Sequence, residues 1–298
     1  MAAGSIRRLE ADRVGAPLLE RHGPGSARPA GSYPLGHTDH ELSRLALQSG
    51  FYGEATVDVL RRAGIGTGMR VLDVGCGAGD VALSIARMVG PSGAVLGVDR
   101  SQRAIEVARQ RAETAACDWL RFQAADLSTF GTRERSDAVT GRFILGYMPE
   151  PAKLLRRLPR FLRPGGAIAF VEMDVSSADV VPELALYNQC RRWVLAAYRH
   201  AGVEPDMGSR LRAVFEEAGL RASTVDACLT AEGPDTPVYA YIAETIRSLL
   251  PTILALDLAT AAEVDIETLA DRLRRKSADG QRRIIRPRLV GAWARSPS

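Results

Sequence analysis

The sequence predicts an α/β fold built on a parallel sheet, and three observations carry that prediction. Residues 69–89 read as an apolar, β-branched strand, three glycines at alternate positions, and an amphipathic helical pattern. A second strand, Ala94 to Val98, ends at the acidic Asp99, and Ser101 then N-caps a helix running to about Ala115. Strand, helix, strand, helix is the rhythm of βαβ units, whose strands lie parallel.

The turn lies within Val71-Leu72-Asp73-Val74-Gly75-Cys76-Gly77-Ala78-Gly79-Asp80. Glycines lack a Cβ, so the turn can take dihedrals closed to other residues, and a ligand can approach the backbone where the first helix N–H groups point. Something polar or anionic is expected there. Dinucleotide dehydrogenases carry G-x-G-x-x-G, whereas this spacing is G-x-G-x-G with Asp73 two residues before the first glycine. Asp99, at the next strand's end, can accept hydrogen bonds from both ribose hydroxyls of a nucleoside.

These residues resemble the class I S-adenosylmethionine (SAM) dependent methyltransferases. VLDVGCGAGD resembles that family's first motif, VLGVDRS its acidic second motif, and Gln123-Ala124-Ala125-Asp126 its third. Ser136-Asp137-Ala138-Val139-Thr140-Gly141-Arg142-Phe143 looks like its fourth strand, and Leu162-Arg163-Pro164-Gly165-Gly166 like the turn before its fifth. The resemblance covers roughly residues 69 to 175. It implies a Rossmann-like seven-stranded sheet with SAM as methyl donor and S-adenosylhomocysteine as product. It also implies roles: Gly75, Gly77 and Gly79 pass the backbone close to the methionyl part beside Asp73, and Asp99 with its neighbour Arg100 holds the ribose. Ala125 and Asp126 face the adenine. Arg142 meets the methionine carboxylate or anchors the loop that follows it.

At 298 residues, one large domain with additions is the natural expectation, and 46% apolar with 25% charged residues is ordinary for a soluble globular protein. No apolar run approaches the roughly 20 residues that cross a bilayer, and the arginine-bearing N-terminus lacks a signal-peptide core, so the expected location is cytoplasmic, with no membrane partner. The four cysteines, Cys76, Cys117, Cys190 and Cys228, form no C-x-x-C pair, which argues against a disulfide framework or a zinc site. The net charge of +4 is spread along the chain, and all basic residues except Lys153 and Lys276 are Arg. No clustered basic face with interleaved aromatics marks nucleic-acid binding. Nothing fixes the oligomeric state, and a homodimer stays open.

In chain order, residues 1–31 read as a mobile leader, 32–68 as an N-terminal helical cap, and 69–175 as the SAM-binding core. Residues 176–298 read as a helical lid, inserted helices and the closing strands of the same sheet. Thr38 and Glu41 form a capping-box pattern for a helix from about Asp39 to Gln48, and a second helix follows from Phe51 to Ala63. His37 and His40 beside Asp39 and Glu41 suggest a metal, but a helix start explains the acids and no distant Cys or His completes a site, so none is expected. The segment Gly36 to Gln48 resembles the cap of small-molecule methyltransferases, which lies over the methionine end of SAM. That implies contacts from Tyr33, His37, Arg44 and Gln48, with His37 a catalytic candidate and Tyr52 a substrate-facing one.

The loop Gly141 to Pro149 carries neither the (N/D)-P-P-(Y/F) motif nor the Pro-Cys nucleophile of nucleic-acid methyltransferases. It is apolar and aromatic, and Phe143 and Tyr147 fit a small, partly hydrophobic acceptor. The fifth strand, Ala167 to Val171, delivers Glu172 where ligands of open parallel sheets sit, so Glu172 is the candidate general base. A lid helix from Pro182 to Ala201 offers Tyr187 and Trp193 to the pocket or to the core. Its Arg191, Arg192 and Arg199 offer charge to an anionic acceptor or to solvent. Helices at Gly208–Ala218, Pro237–Leu250 and Thr260–Arg275, a strand at Arg221–Leu229, and an antiparallel last strand at Arg283–Trp293 complete the chain.

The resulting expectation is methyl transfer from SAM to a small organic acceptor at oxygen, nitrogen or carbon. Two alternatives use the same fold: a SAM-binding cyclase or rearrangement enzyme without net methyl transfer, and a nonenzymatic SAM sensor.

Overall fold

The computed structural model describes residues 39–228, 230–233 and 235–296. The leader, Tyr33, His37 and the Thr38 cap lie outside the described residues.

The chain opens with helix α1, Asp39–Arg62, where the sequence predicts two. Gly50 and Gly53 sit in its interior, at a cost of roughly 1 kcal/mol each relative to Ala. Burial of Tyr52, Val59 and Leu60 along one side offsets that cost, so the helix runs through. The βα units follow: β1 (Arg70–Val74), α2 (Asp80–Val89), β2 (Ala94–Asp99), α3 (Gln102–Thr114), β3 (Leu120–Ala124) and β4 (Ser136–Arg142). Ser101 caps α3 as predicted, its hydroxyl accepting the Ala104 amide at 3.2 Å. After a 3-10 turn at Leu145–Tyr147 come α4 (Pro151–Arg157) and β5 (Leu162–Asp174).

The rest comprises β6 (Asp179–Val181), α5 (Ala185–His200), α6 (Met207–Glu217), β7 (Ser223–Cys228), β8 (Ala231–Glu232), α7 (Val238–Ala255), α8 (Ala261–Val264), α9 (Leu269–Asp279), β9 (Arg283–Ile285) and β10 (Arg288–Arg295). Among the described residues, seven strands form one sheet in the order β3-β2-β1-β4-β5-β10-β7. The first five are parallel, and β10 runs antiparallel to both β5 and β7. The chain order reverses between β1 and β4, and ligands of open α/β sheets bind beyond the strand ends at that point.

The last strand differs from expectation. Instead of one run from Arg283 to Trp293, β9 pairs with β6 and β8 in a separate three-stranded sheet, and the chain breaks at Arg286-Pro287 before β10 begins. Pro287 has no N–H to give a ladder, which favours the break there.

Side chains alternate across the sheet. Val71, Val95, Ala167 and Ala169 face α1, α2 and α3, packing with Leu60, Ile85, Val89 and Ile105. Leu72, Val98, Ile168 and Phe170 face the other way, against Leu155, Phe161, Leu211 and Phe215 of α4, α6 and their connections. Complete burial of side chains this large contributes about 1.5–3 kcal/mol each. Helices α5, α7, α8 and α9 share a further core with Tyr187, Trp193, Tyr239 and Ile246, and α1 joins them through α7.

Candidate functional site

A cavity of about 560 Å³ opens where the chain order reverses. It falls within the range of about 300–1,000 Å³ typical of small-molecule and cofactor sites. One end is made by the glycine turn, Asp99, Arg100 and the Asp126–Ser128 segment. The other is made by Arg44, Leu45 and Gln48 of α1, with Asp73, Arg142, Phe143, Ile144 and Tyr147.

The glycine turn is stitched to β2, since the Gly75 and Cys76 amides both donate to the Val98 carbonyl at 2.8 and 3.1 Å. Gly75 has φ +70°, and a Cβ there would stand 2.4 Å from Ile144 Cδ1. The turn and the loop after β4 therefore close on each other only if position 75 is glycine. Gly77 has φ +52°, and a Cβ on it would meet nothing within 4 Å, so the cavity approaches the backbone at that point. Gly79 does not line the cavity. It lets α2 pack close to β3, with Phe122 Cζ 2.8 Å from where a Cβ would be.

Asp99 sits at the strand end as predicted, its Oδ2 accepting the Gly77 amide at 3.0 Å and its Oδ1 the Ser101 amide at 2.9 Å. Ala125 does not line the cavity either. Its amide donates to the Asp99 carbonyl at 2.9 Å and so fixes the end of β3 beside Asp99. Asp126 is exposed on the rim, with its Oδ1 accepting the Ser128 amide at 2.7 Å. Bonds from Ser128 hold its carboxyl below the usual range, helped by the charges of Arg100 and Arg157.

Asp73 is 1% exposed, and its Oδ2 has no hydrogen-bond partner. Burial pushes its pKa up to about 7, against the pull of the Arg142 guanidinium. Burial likewise holds Arg142 below its ordinary basicity; Asp80 and Asp73 oppose that effect, and Arg44 adds like-charge repulsion. An orphaned buried carboxyl beside a half-buried guanidinium matches a ligand that carries both an ammonium and a carboxylate, and the methionyl part of SAM is such a ligand.

Phe143 takes φ +55°, an uncommon conformation for a bulky residue. Its amide donates to the Val171 carbonyl at 2.9 Å, Arg142 lies 5.3 Å from its ring centroid, and Tyr52 meets it edge-on at 5.7 Å. Phe143 and Tyr147 line the cavity, whereas Tyr52 stands behind Phe143 as support. Gln48 lines it too, donating to Tyr241 Oη at 3.2 Å and so tying α1 to α7.

Four further side chains depart from their predicted placements. Glu172 does not reach the cavity: it is 3% exposed, and its Oε1 accepts the amides of Ile144 at 2.8 Å and Leu145 at 2.7 Å. Strand parity puts it on the face of Phe170, under the loop. Burial raises its pKa to about 7, opposed by those amide bonds. Tyr187 and Trp193 belong to the core of the helical layer, and Trp193 Nε1 donates to the Leu258 carbonyl at 3.2 Å. Arg191 donates to the Ser176 and Ala178 carbonyls at 3.2 and 2.7 Å, which makes it a brace for the segment before β6.

Sequence reasoning missed Arg286. It is 7% exposed, donates to the Phe51 carbonyl at 2.6 Å, pairs with Glu232 at 2.8 Å, and lies 4.9 and 5.2 Å from the ring centroids of Phe51 and Tyr52. It pins the middle of α1, and with it the cavity wall, to the small sheet. No local pattern marks a contact between residues so distant in sequence.

Residues 65–219 match the family model described as a methyltransferase domain. The chain is 30% identical over 244 residues to an uncharacterised 37.1 kDa protein of transposon TN4556 from Streptomyces fradiae, covering 74% of this chain and 69% of that one. It is 38% identical over 136 residues to the 2-phytyl-1,4-naphtoquinone methyltransferase of Synechococcus elongatus, covering 44% of this chain and 56% of the relative. The match thus spans little more than half the length of that quinone enzyme. Among solved structures, a SAM dependent methyltransferase from Aquifex aeolicus superposes with a TM-score of 0.50 at 21% identity, over 64% of this chain and 94% of that one, a likeness of fold. The family match covers more than half of the 298 residues and agrees with the sheet order and the glycine cradle, so the chain belongs to the class I SAM-dependent methyltransferase family.

Proposed function

We propose that this protein transfers the methyl group of SAM to a small, partly hydrophobic, flat organic acceptor at oxygen, nitrogen or carbon. The observation that carries the proposal is the two-ended cavity. A glycine cradle with Asp99 forms one part, and the orphaned Asp73 carboxyl with a wall of Phe143, Ile144, Tyr147 and Leu45 forms the other. The named quinone methyltransferases among its relatives support a ring-shaped acceptor.

Bound SAM supplies a methyl carbon activated by a positively charged sulfur. The remaining work belongs to the chain. Asp99 would accept from the ribose hydroxyls, Asp126 from the adenine amino group, and the Gly77 backbone would lie against the nucleoside. Asp73 would hold the methionine ammonium, and Arg142 would hold its carboxylate. Phe143 and Tyr147 would set the acceptor ring in line and keep water out, and such alignment accounts for most of the barrier lowering in a displacement of this kind. The electron-rich faces of these rings also suit the sulfonium.

The test is to incubate purified protein with methyl-labelled SAM and a panel of naphthols, naphthoquinols and aromatic amines. Labelled product matched one-for-one by S-adenosylhomocysteine supports the proposal. SAM bound but unconsumed while an acceptor is cyclised or rearranged would replace it with the cyclase alternative.

A further inference from the structure

A second cavity, of about 420 Å³, lies at the opposite end of the sheet from the first and shares no residue with it. The strand directions put it there. The first cavity lies beyond the C-terminal ends of the parallel strands, whereas the antiparallel β10 carries Arg295 back beside Ala167, which pairs with Ala138 near the start of β4. Helix α1 contributes Arg62 to the wall, the segment after α6 contributes Gly219 and Arg221, β7 contributes Ser223, and β10 contributes Trp293 and Arg295.

Every polar side chain in that wall can donate a hydrogen bond, and none is acidic. Arg221 has no hydrogen-bond or ion-pair partner among the described residues. Arg295 reaches the Gly165 carbonyl only at 3.5 Å, and its Nη2 would stand 2.5 Å from a Cβ on Gly64, so glycine there lets the guanidinium lie against the end of α1. Asp58 holds Arg62 through Nε at 2.8 Å, which leaves the two terminal nitrogens of Arg62 without a partner among the described residues. The indole N–H groups of Trp119 and Trp193 donate to the Ala86 and Leu258 carbonyls, whereas that of Trp293 has no acceptor among the described residues.

The acids on the neighbouring helix ends do not balance this charge. Asp58 offsets Arg62, Glu216 is paired with Arg212 at 2.9 Å, and Glu217 is exposed outside the wall, while Arg61 adds a further positive charge on the last turn of α1. The last carbonyls of α1 and α6, the negative ends of their dipoles, are already taken. Those of Val59, Leu60 and Arg61 accept the amides of Ala63, Ile65 and Gly64, and those of Phe215 and Glu216 accept the amides of Leu220 and Gly219.

A cleft lined by one sign of charge focuses its field on what enters it, and guanidinium forks match the oxygens of a phosphate two at a time. The volume falls within the range of small-molecule sites, and buried Leu220 with half-buried Trp293 adds an apolar surface. We propose that this cleft binds a small organic phosphate ester, with Arg221 and Arg295 on the phosphoryl oxygens and the organic part against Trp293. The site stands apart from the methyl-transfer cavity and does not depend on that reading.

The experiment is calorimetric titration with phenyl phosphate and with inorganic phosphate at about 0.15 M salt, with S-adenosylhomocysteine in excess to fill the first cavity. The proposal expects phenyl phosphate to bind with a Kd of about 1 mM or tighter, and more tightly than inorganic phosphate. Arg221→Gln should weaken it at least about tenfold, the size of a charge-assisted hydrogen bond, and Arg221→Lys should keep part of the affinity. Arg221 holds nothing else in the protein, so its replacement leaves the fold intact. Arg274→Gln, on α9 and paired with Asp271 at 3.1 Å outside the cleft, should bind as the parent does. No binding by the parent, affinity unchanged in Arg221→Gln, equal weakening in Arg274→Gln, or phenyl phosphate no tighter than inorganic phosphate would overturn the proposal.

Discussion

The carboxyl of Glu172 accepts the amide of Leu145 at 2.7 Å, and the same oxygen accepts the amide of Ile144 at 2.8 Å. A residue expected to transfer a proton instead fastens the loop whose Phe143, Ile144 and Tyr147 wall the cavity. Replacing it separates the two roles. Glu172→Gln keeps an oxygen for both amides, so stability and turnover should stay within about tenfold of the parent, whereas loss of a general base costs about 10²-fold or more. Glu172→Ala strands two buried amides at about 1–3 kcal/mol each and should lower the denaturation midpoint clearly. Urea unfolding of both variants, with turnover of the Gln variant, checks the assignment.

The pH dependence follows from two raised carboxyl groups. Asp73 and Glu172 both have folded pKa values of about 7, above their ordinary 3.8 and 4.5. The folded state therefore holds more protons than the unfolded state between about pH 4 and 7. Their contribution is fully present below that window and is lost as pH rises through it, on the order of 3 kcal/mol for each group. Unfolding of the cofactor-free protein from pH 5 to pH 8 should show stability falling, and the fall should be about halved in Asp73→Asn.

SAM binding should follow the opposite trend. If ionised Asp73 holds the methionine ammonium, affinity rises with pH up to about 7 and then levels, changing up to about tenfold per pH unit on the rising limb. In Asp73→Asn, calorimetry should find weaker binding and no such slope.

Gly75→Ala sets a methyl group 2.4 Å from Ile144 Cδ1 at a φ of +70°. Because it pushes the loop off the cradle, the variant should lose at least about 1–3 kcal/mol of stability and bind SAM more weakly. Gly77→Ala shares the backbone strain but meets no atom, so its folded-state loss should be the smaller. Thermal unfolding of the pair shows whether contact or conformation dominates.

Much of the fold and cradle is legible in the sequence because it is local. The glycine turn, the acidic end of β2 and the Ser101 cap each follow from residues a few positions apart, and the structure has them in those positions. Glu172 shows where such reading stops. Its strand is foreseen, but which face it presents depends on parity against Phe170 and on a loop that bends over it. Tyr187 and Trp193 stop at a similar point, since an aromatic residue on a helix says it will be covered, not whether by ligand or by α7 and its neighbours. The small sheet of β6, β9 and β8 and the hold of Arg286 on Phe51 come from partners far apart in the chain, and no spacing in the sequence announces them.

The central claim, that the cradle around Asp99 receives SAM, is tested most directly by calorimetric titration of the parent protein and Asp99→Ala with SAM, and of the parent with NAD. The account predicts SAM binding to the parent, a loss of at least about 10²-fold in the variant as ribose bonds and the Gly77 and Ser101 anchors disappear together, and no heat with NAD. Equal SAM affinity in parent and variant, or binding of NAD in place of SAM, would contradict it.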